Sequence, residues 1–582
     1  MKTGRYDSGR ITESGRGVIL FSLLSVFLFC NTCFSQSKPL PDMRYAIVIK
    51  RGTWNITRWK QVCDTLSSSY KGRLFTWESS LSEVKGAIIS YRPTHICFVC
   101  DMSTALPSFI SGTLHPFTRS LDDDPYTDVI WSVLTGYPED AYRIAADTVT
   151  HFTRTLLSGT VSSDLEYYTQ GLSTHEATSG LFYVKHPDSI LVRSYTSAPT
   201  DRTSWLVSMI NSGIDSLDNA PVDIFITSGH GNYNLWQLHY PTKSPEGLFR
   251  SGSHVLTGAS AAGTYHPISS ANPKIYFGLG NCNIGQILND GCMAPAWMNK
   301  GGAFAYTGYV IDETANSYQH GGTRAYYYRM SRENTWSESW FLSNIALQFD
   351  LLNNTPGVSP VDLNGSAFYG DPGKIFKMSH EGQYRQPLVT NELIITHGPL
   401  KDTVKYRVTM NDDGEPGTNG KWGNRHPAMI LPFTATGIDI LSTDAITAVV
   451  QENFVLLYIW YKGLDPLKKG DTREVVFTCN RLTTGTGKPV DGNEKTGIID
   501  KIYPNPASSR ITINYKITGN TNVIIRLFDN YGALIDRINY PSQPPGSYSE
   551  DFDVTGLADG VYHFLIETSE SHESRKFVLA KN

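Results

Sequence analysis

Two stretches near the middle of the chain decide its reading: Asp223-Ile-Phe-Ile-Thr-Ser-Gly-His230-Gly231-Asn-Tyr-Asn-Leu-Trp236 and Lys274-Ile-Tyr-Phe-Gly-Leu-Gly-Asn281-Cys282-Asn-Ile-Gly285. Each is a short apolar run that ends on a reactive side chain flanked by glycine. An open α/β sheet places its chemistry at such points, at the carboxyl ends of neighbouring strands. A thiolate nucleophile needs a base or cation beside it to lower its pKa, and histidine is the usual partner. Glycine lets the backbone turn sharply and lets a substrate come close. Taken singly, His230 reads as a histidine with a fixed hydrogen bond, and Cys282 as a small buried apolar residue. Taken together with their glycines, they predict a cysteine peptidase.

Working outward, strands and helices alternate. Residues 45–50, 73–77 and 95–100 read as strands, with helices over 59–66 and 81–91 between them. This β-α-β-α-β order predicts a parallel sheet with crossover helices. Residues 129–134 read as helix-like. A second α/β block starts near residue 180. It has strands over 181–184, 189–193 and 301–310, helices over 205–217, 292–300 and 336–352, and a closing turn at Gly370-Asp371-Pro372. From about Pro387 the pattern becomes alternating strands with Gly, Asp and Asn turns, as in an antiparallel sandwich. A polar stretch follows, and then about seven short strands to the end, a second small sandwich. The predicted organisation is a signal peptide at 1–36, an N-terminal α/β subdomain at 37–178 and a catalytic α/β domain at 179–386. An Ig-like sandwich at 387–482, a linker at 483–497 and a C-terminal domain at 498–582 complete it.

The first residues carry an address. Lys2, Arg5, Arg10 and Arg16 precede the apolar run Val18–Phe29, too short to span a bilayer comfortably, and cleavage is expected near Cys33-Phe-Ser-Gln-Ser37. No other apolar stretch is long enough to cross a membrane, so the mature chain is expected to lack a transmembrane segment. With 50 Lys+Arg against 55 Asp+Glu and no long basic run, nucleic acid is excluded as a partner. Of the eight cysteines, Cys30 and Cys33 fall in the signal, and the other six show no paired spacing of a zinc site. Cys97 and Cys100 share an apolar strand and read as packing residues. The run Leu121-Asp-Asp-Asp-Pro-Tyr-Thr-Asp128 makes Asp122, Asp123, Asp124 and Asp128 weak candidates for a structural calcium. The plainer reading is a solvated acidic turn. No cofactor is required for the chemistry.

With these motifs in hand, the chain resembles the gingipain family of cysteine peptidases. Gly229-His230-Gly231 followed by Trp236 resembles the family's histidine segment, and Asn281-Cys282-Asn-Ile-Gly285 its nucleophile segment. Gly301-Gly-Ala-Phe-Ala-Tyr-Thr-Gly308 is similar to the glycine-led strand that follows, and Gly370-Asp371-Pro372 to the turn that closes the catalytic domain. His230 precedes Cys282 by about fifty residues, the separation noted for caspases. The resemblance implies a caspase-like α/β fold, a parallel-sheet subdomain plus a catalytic domain, followed by two β-sandwich domains. The last domain resembles the C-terminal sorting domain of the type IX secretion system through Tyr503-Pro-Asn-Pro506, the Gly560-Val-Tyr562 strand and Lys576-Phe-Val-Leu579. That implies the secretion machinery as a partner and delivery to the outside or outer-membrane surface of a Gram-negative, Bacteroidetes-type bacterium.

The implied chemistry is acyl transfer to Cys282 with His230 protonating the leaving amine, on protein or peptide substrates. The backbone N–H groups of Gly231 and Cys282 would face the oxyanion. Trp236, Asn281, Tyr306 and Thr307 are the expected lining of the substrate cleft. The family's upstream acid, which orients the histidine, has no evident match; Asp201 and Asp223 are the two guesses. No residue matches the acid that selects a basic P1 side chain, so Arg or Lys specificity is not implied. Two other classes compete: a surface binding protein that keeps the fold without turnover, and a transpeptidase of the secretion route.

Overall fold

The computed structural model describes residues 43–160, 164–212, 220–242, 246–311, 322–356, 358–398, 401–417, 424–481, 498–529, 534–568 and 572–581. The predicted signal peptide (1–36) and linker (483–497) lie outside the described residues. The chain divides into two compact units, 1–482 and 483–582.

The larger unit is built on one twelve-stranded sheet. In chain order its strands are β1 (Tyr45–Lys50), β2 (Arg73–Trp77), β3 (His95–Val99), β4 (Ile130–Leu134), β5 (Thr155–Gly159), β6 (Gln170–Thr174), β7 (Phe182–Lys185), β8 (Arg193–Tyr195), β9 (Ile224–Thr227), β10 (Lys274–Gly278), β11 (Ala303–Tyr309) and β12 (Ser366–Gly370). Their spatial order is β2-β1-β3-β4-β12-β11-β10-β9-β5-β6-β7-β8. From β2 to β12 all neighbours run parallel, and from β11 to β6 they do so again. The two blocks meet at an antiparallel seam, β11 against β12, and so point in opposite directions.

Helices α1 (Thr57–Tyr70) and α2 (Ser82–Tyr91) supply the crossovers expected of a parallel sheet. The run read as helix-like at 129–134 is instead strand β4. All five of its residues are buried, between β3 and β12. A short run buried on both faces has no periodicity to separate helix from strand. The line drawn at 178/179 does not divide two sheets either: β5 pairs with β9 and β6 with β5, so the N-terminal span contributes strands to the block that carries His230 and Cys282. Helix α3 is Thr203–Ser212, and the remainder of its predicted span, 213–217, is outside the described residues.

Helix α4 (Trp336–Leu352) starts on a capping box, with Thr335 and Glu338 bonding each other's backbone. It is apolar on nearly every side because it is covered on both faces. Trp340 packs on Trp131 of β4 at 4.8 Å, and Phe349 packs on His426 at 5.2 Å. His426 also meets Asp350 at 2.9 Å, with both side chains buried. His426 belongs to the antiparallel part that follows, a four-stranded sheet facing a three-stranded one. The alternation along Asp402–Met410 puts every second side chain into that core. The smaller unit has a three-stranded and a four-stranded antiparallel sheet, around a core that includes Ile513, Ile525, Phe564 and Phe577.

The carboxylate of Asp371, just beyond β12, fastens the first block. It is 1% exposed and accepts from the Tyr45 hydroxyl (2.6 Å) and the Tyr70 hydroxyl (2.7 Å). Burial and then the Asp371 charge hold the Tyr45 hydroxyl well above its ordinary pKa, so it remains a donor. Replacing Asp371 by Ala orphans both hydroxyls, at about 1–3 kcal/mol each. Thermal unfolding of Asp371→Ala is expected to show a loss of about 2–5 kcal/mol, clearly more than Tyr70→Phe, which removes one bond and leaves no orphaned hydroxyl. Equal losses in the two variants would contradict this role.

Candidate active site

Strands β5, β6, β9, β10 and β11 all present their carboxyl ends on one side of the sheet. The parallel partners at those ends include Thr227↔Gly278 and Thr227↔Gly159. His230 follows β9 and is exposed; Cys282 follows β10, is partly exposed and takes part in no disulfide. The residues on either side of His230 both touch Asn281, the residue before Cys282. Asn281 donates from Nδ2 to the Gly229 carbonyl at 3.2 Å. A side chain begun at Gly231 would meet Asn281 Cβ at 3.1 Å. The sheet thus brings together the two segments that the sequence singled out.

The turn after β10 is tight. Asn283 has φ 54, a left-handed conformation that Asn tolerates better than most residues. The backbone beyond it is held by β11 and β12. Gly285 N–H donates to the Tyr309 carbonyl (2.8 Å), while the Ile284 and Gly285 carbonyls accept from the Tyr306 and Tyr369 hydroxyls (both 2.6 Å). A Cβ at Gly285 would stand 2.4 Å from the Gly308 carbonyl oxygen, so only glycine allows this approach.

The histidine segment opens a small antiparallel sheet whose first two strands are Gly231–Asn232 and Leu235–Gln237. Gln237 N–H donates to the His230 carbonyl. The Gly231–Trp236 pair is therefore of the non-hydrogen-bonded kind, and the Gly231 N–H turns away from its partner strand. Gly231 lies on the edge of that sheet, so its amide points away from the neighbouring strand.

The four residues expected to line the cleft do not line it. Trp236, Asn281, Tyr306 and Thr307 are all 0% exposed. Trp236 lies under Gly159 and donates to the Ser228 carbonyl at 2.7 Å. Tyr306 stacks on Tyr276 at 4.5 Å, and Thr307 accepts from the Trp336 indole at 2.9 Å. Asn281 accepts from the Thr227 hydroxyl at 2.6 Å. Their polar atoms are used inside the protein, so they support the site from beneath.

Neither guess for the acid survives. Asp223 accepts from the N–H groups of Arg154 and Thr155 at the amino end of β9, the opposite end from His230. Asp201 accepts from Thr203 and Ala261 at the start of α3. The carboxylate placed beside the histidine segment is Glu176, just beyond β6 and 6% exposed. It accepts from the Ser228 hydroxyl at 2.6 Å, and a Cβ at Gly229 would stand 2.9 Å from its Oε2. Gly229 has φ +88, so its conformation and this contact both call for glycine. Sequence reasoning missed Glu176 because it missed β6. Gln-Gly-Leu-Ser-Thr carries little hydrophobic signal, although every residue of it is buried. The one available cue was a carboxylate following a Ser-Thr strand end.

A second constellation lies away from this site, in the larger unit. Carboxylate oxygens of Asp122, Asp124, Asp128 and Glu452 fall within 4.8 Å of one another. Asp123, a predicted member, is not in the group; Glu452, from the sandwich, takes the fourth place. The cluster borders a cavity of about 790 Å³ also lined by Arg44, Ile89 and Phe433. Burial, and then the Asp122 charge, push Asp128 up to about 9. Asp124 rises to about 6 for the same two reasons, and burial raises Glu452 as well. Oxygen-only donors in this number suit a calcium ion.

Acids with raised folded pKa values stabilise the fold while protonated, below about pH 4, and lose that contribution as pH rises through the folded values. In chelator, the melting temperature is expected to fall from about pH 5 to about pH 9. Calcium should restore it most at the alkaline end, and Asp128→Asn should weaken both effects. A flat profile with and without calcium would refute the cluster as a cation site.

Among the described residues no helix is long and apolar enough to cross a membrane. No curated protein matches the chain significantly. One solved structure that shares some likeness is PorZ, described as an essential bacterial surface component of the type-IX secretion system of Porphyromonas gingivalis. It is 15% identical over 34% of this chain and 24% of that one, with a TM-score of 0.12. Another is a polysaccharide lyase, 9% identical over 34% of this chain and 35% of that one, with a TM-score of 0.13. The chain thus spans well under half of either structure, and overlaps of this quality carry no inference about fold or activity. Residues 501–580 match the family described as the secretion system C-terminal sorting domain. The C-terminal unit is a type IX sorting domain, and the chain is a secreted or cell-surface protein that engages that secretion machinery.

Proposed function

We propose that the larger unit is a cysteine endopeptidase acting on protein or peptide substrates outside the cell. The observation that carries this reading is the convergence of the segments that bear His230 and Cys282 at the carboxyl ends of neighbouring strands, joined through Asn281, with a buried carboxylate beside the histidine segment. It accords with the resemblance to gingipains and the caspase-like arrangement. Cys282 Sγ attacks the scissile carbonyl carbon and forms a thioester as the amine leaves. His230 delivers the proton that the amine needs. The N–H groups of Gly231 and Cys282 receive the developing oxyanion, at roughly 3 kcal/mol per donor. Water then hydrolyses the thioester, with His230 taking a proton from it. Glu176 takes the role of the orienting acid, and Asp122, Asp124, Asp128 and Glu452 would hold a structural calcium that would brace the sandwich against the first block.

The test is digestion of a diverse peptide library by the full-length chain, with calcium and reductant present. Cleavage by the wild type should fall by at least about a thousandfold in Cys282→Ala. Products bearing an added amine would point to a transpeptidase instead. No cleavage by a folded wild-type chain would favour a binding protein that retains the fold.

Glu176→Gln is expected to lower kcat by about 10- to 100-fold with little change in KM, since it disturbs the histidine and not substrate binding. Unchanged kcat would remove Glu176 from the site.

A further inference from the structure

His230 is exposed. An exposed side chain spreads over several rotamers unless something occupies the space beside it. Proton transfer needs one of those rotamers, and a misplacement of about 1 Å costs on the order of a hundredfold in rate. Tyr240 occupies the space beside this ring. The His230 and Tyr240 ring centroids lie 4.9 Å apart, tilted by 46°. Tyr240 is itself 42% exposed, so part of its ring covers the imidazole and part faces solvent.

The backbone that carries Tyr240 is fixed to the same neighbours as the histidine. Its N–H donates to the Glu176 carbonyl at 2.9 Å. Gly229 sits between the two residues: a Cβ there would lie 2.9 Å from Glu176 Oε2 and 3.6 Å from Tyr240 Cβ. Behind them stands a fully buried ion pair. Arg202 Nε donates to Glu246 at 2.7 Å, Nη1 to the His175 carbonyl at 2.9 Å, and Nη2 to the Leu238 carbonyl at 3.2 Å. One guanidinium thereby ties the residue before Glu176 to the segment that leads into Tyr240.

We propose that Tyr240 is a positioning residue for the reaction: its ring, held on this Arg202-anchored segment, confines the His230 imidazole to the orientation that serves Cys282. The inference rests on the peptidase reading and adds a residue to it. The packing face of the ring does this, so phenylalanine should replace tyrosine and alanine should not.

The experiment compares the full-length wild type with Tyr240→Ala and Tyr240→Phe. In Tyr240→Ala, kcat is expected to fall about 10- to 100-fold while KM stays within about twofold, and the melting temperature of this partly exposed site stays close to wild type. Tyr240→Phe should recover most of the lost kcat. Retained kcat in Tyr240→Ala, or a Tyr240→Phe as slow as Tyr240→Ala, overturns the proposal. A second readout does not depend on peptide turnover: the rate of iodoacetamide alkylation at Cys282 at neutral pH, followed by mass spectrometry of its peptide, with His230→Ala as reference. Tyr240→Ala should change that rate in the same direction as His230→Ala, and Tyr240→Phe should not. A Tyr240→Ala rate equal to wild type, where His230→Ala differs, overturns the positioning role. If the wild type cleaves no peptide yet the alkylation pattern holds, the peptidase reading fails and the positioning role stands.

Discussion

The Thr227 hydroxyl donates to Asn281 Oδ1 at 2.6 Å, and the candidate site is arranged around that bond. Adjacent parallel strands would bring the ends of β9 and β10 near each other without it, but loops leaving a sheet diverge. Asn281 prevents this by using both ends of its amide, one on β9 itself and one on the Gly229 carbonyl beyond it. The amide is fully buried, where a hydrogen bond is electrostatically stronger than in water and an unmade one is costly. Tyr276 extends the link, its hydroxyl 2.9 Å from Thr227 Oγ1. The reactive groups can therefore stand in the open because the polar groups that hold them are sealed underneath.

Much of this was legible in the sequence, for physical reasons that can be named. β1, β2 and β3 are apolar runs separated by helices of clear periodicity, and α4 begins at a Thr and a Glu three residues apart. His230 and Cys282 stand where apolar runs meet glycine. What escaped reading was structure held by polar side chains. β6 is stabilised by Ser173 against Ser158 (2.6 Å), Gln170 against Thr155 (3.1 Å) and Thr174 against the Ser158 carbonyl (3.2 Å). No count of apolar residues finds such a strand, and the carboxylate that follows it was lost with it. β4 failed for the opposite reason, being buried on both faces. Trp236, Asn281, Tyr306 and Thr307 lie near the chemistry in sequence, yet strand ends have an underside as well as a mouth, and these residues face the underside.

The sandwich is fastened to the sheet through two kinds of contact. At α4 the fit is between aromatic surfaces, with the Asp350–His426 pair buried among them. At residues 122–128 a cluster of carboxylates, with Glu452 contributed by the sandwich, lies beside the Tyr126–Phe454 ring contact and the Asn453 amide bonded to the Asp128 carbonyl. The first contact is indifferent to ions in solution, whereas the second depends on what neutralises it.

β12 lies between β4 and β11, although it is the last of the twelve strands to occur in the chain. Until it arrives, each block ends in an unpaired inner edge with its row of free amides and carbonyls. Assembly of the sheet is thus non-local by construction, and such topologies fold slowly. For a chain delivered to the cell surface, this sets an order of events. A terminated or incompletely translocated copy cannot close its sheet, and its two sticky edges would mark it for aggregation or destruction. The twelve-stranded sheet is therefore continuous only in a chain that extends to its closing turn, since β12 must pair with both β4 and β11.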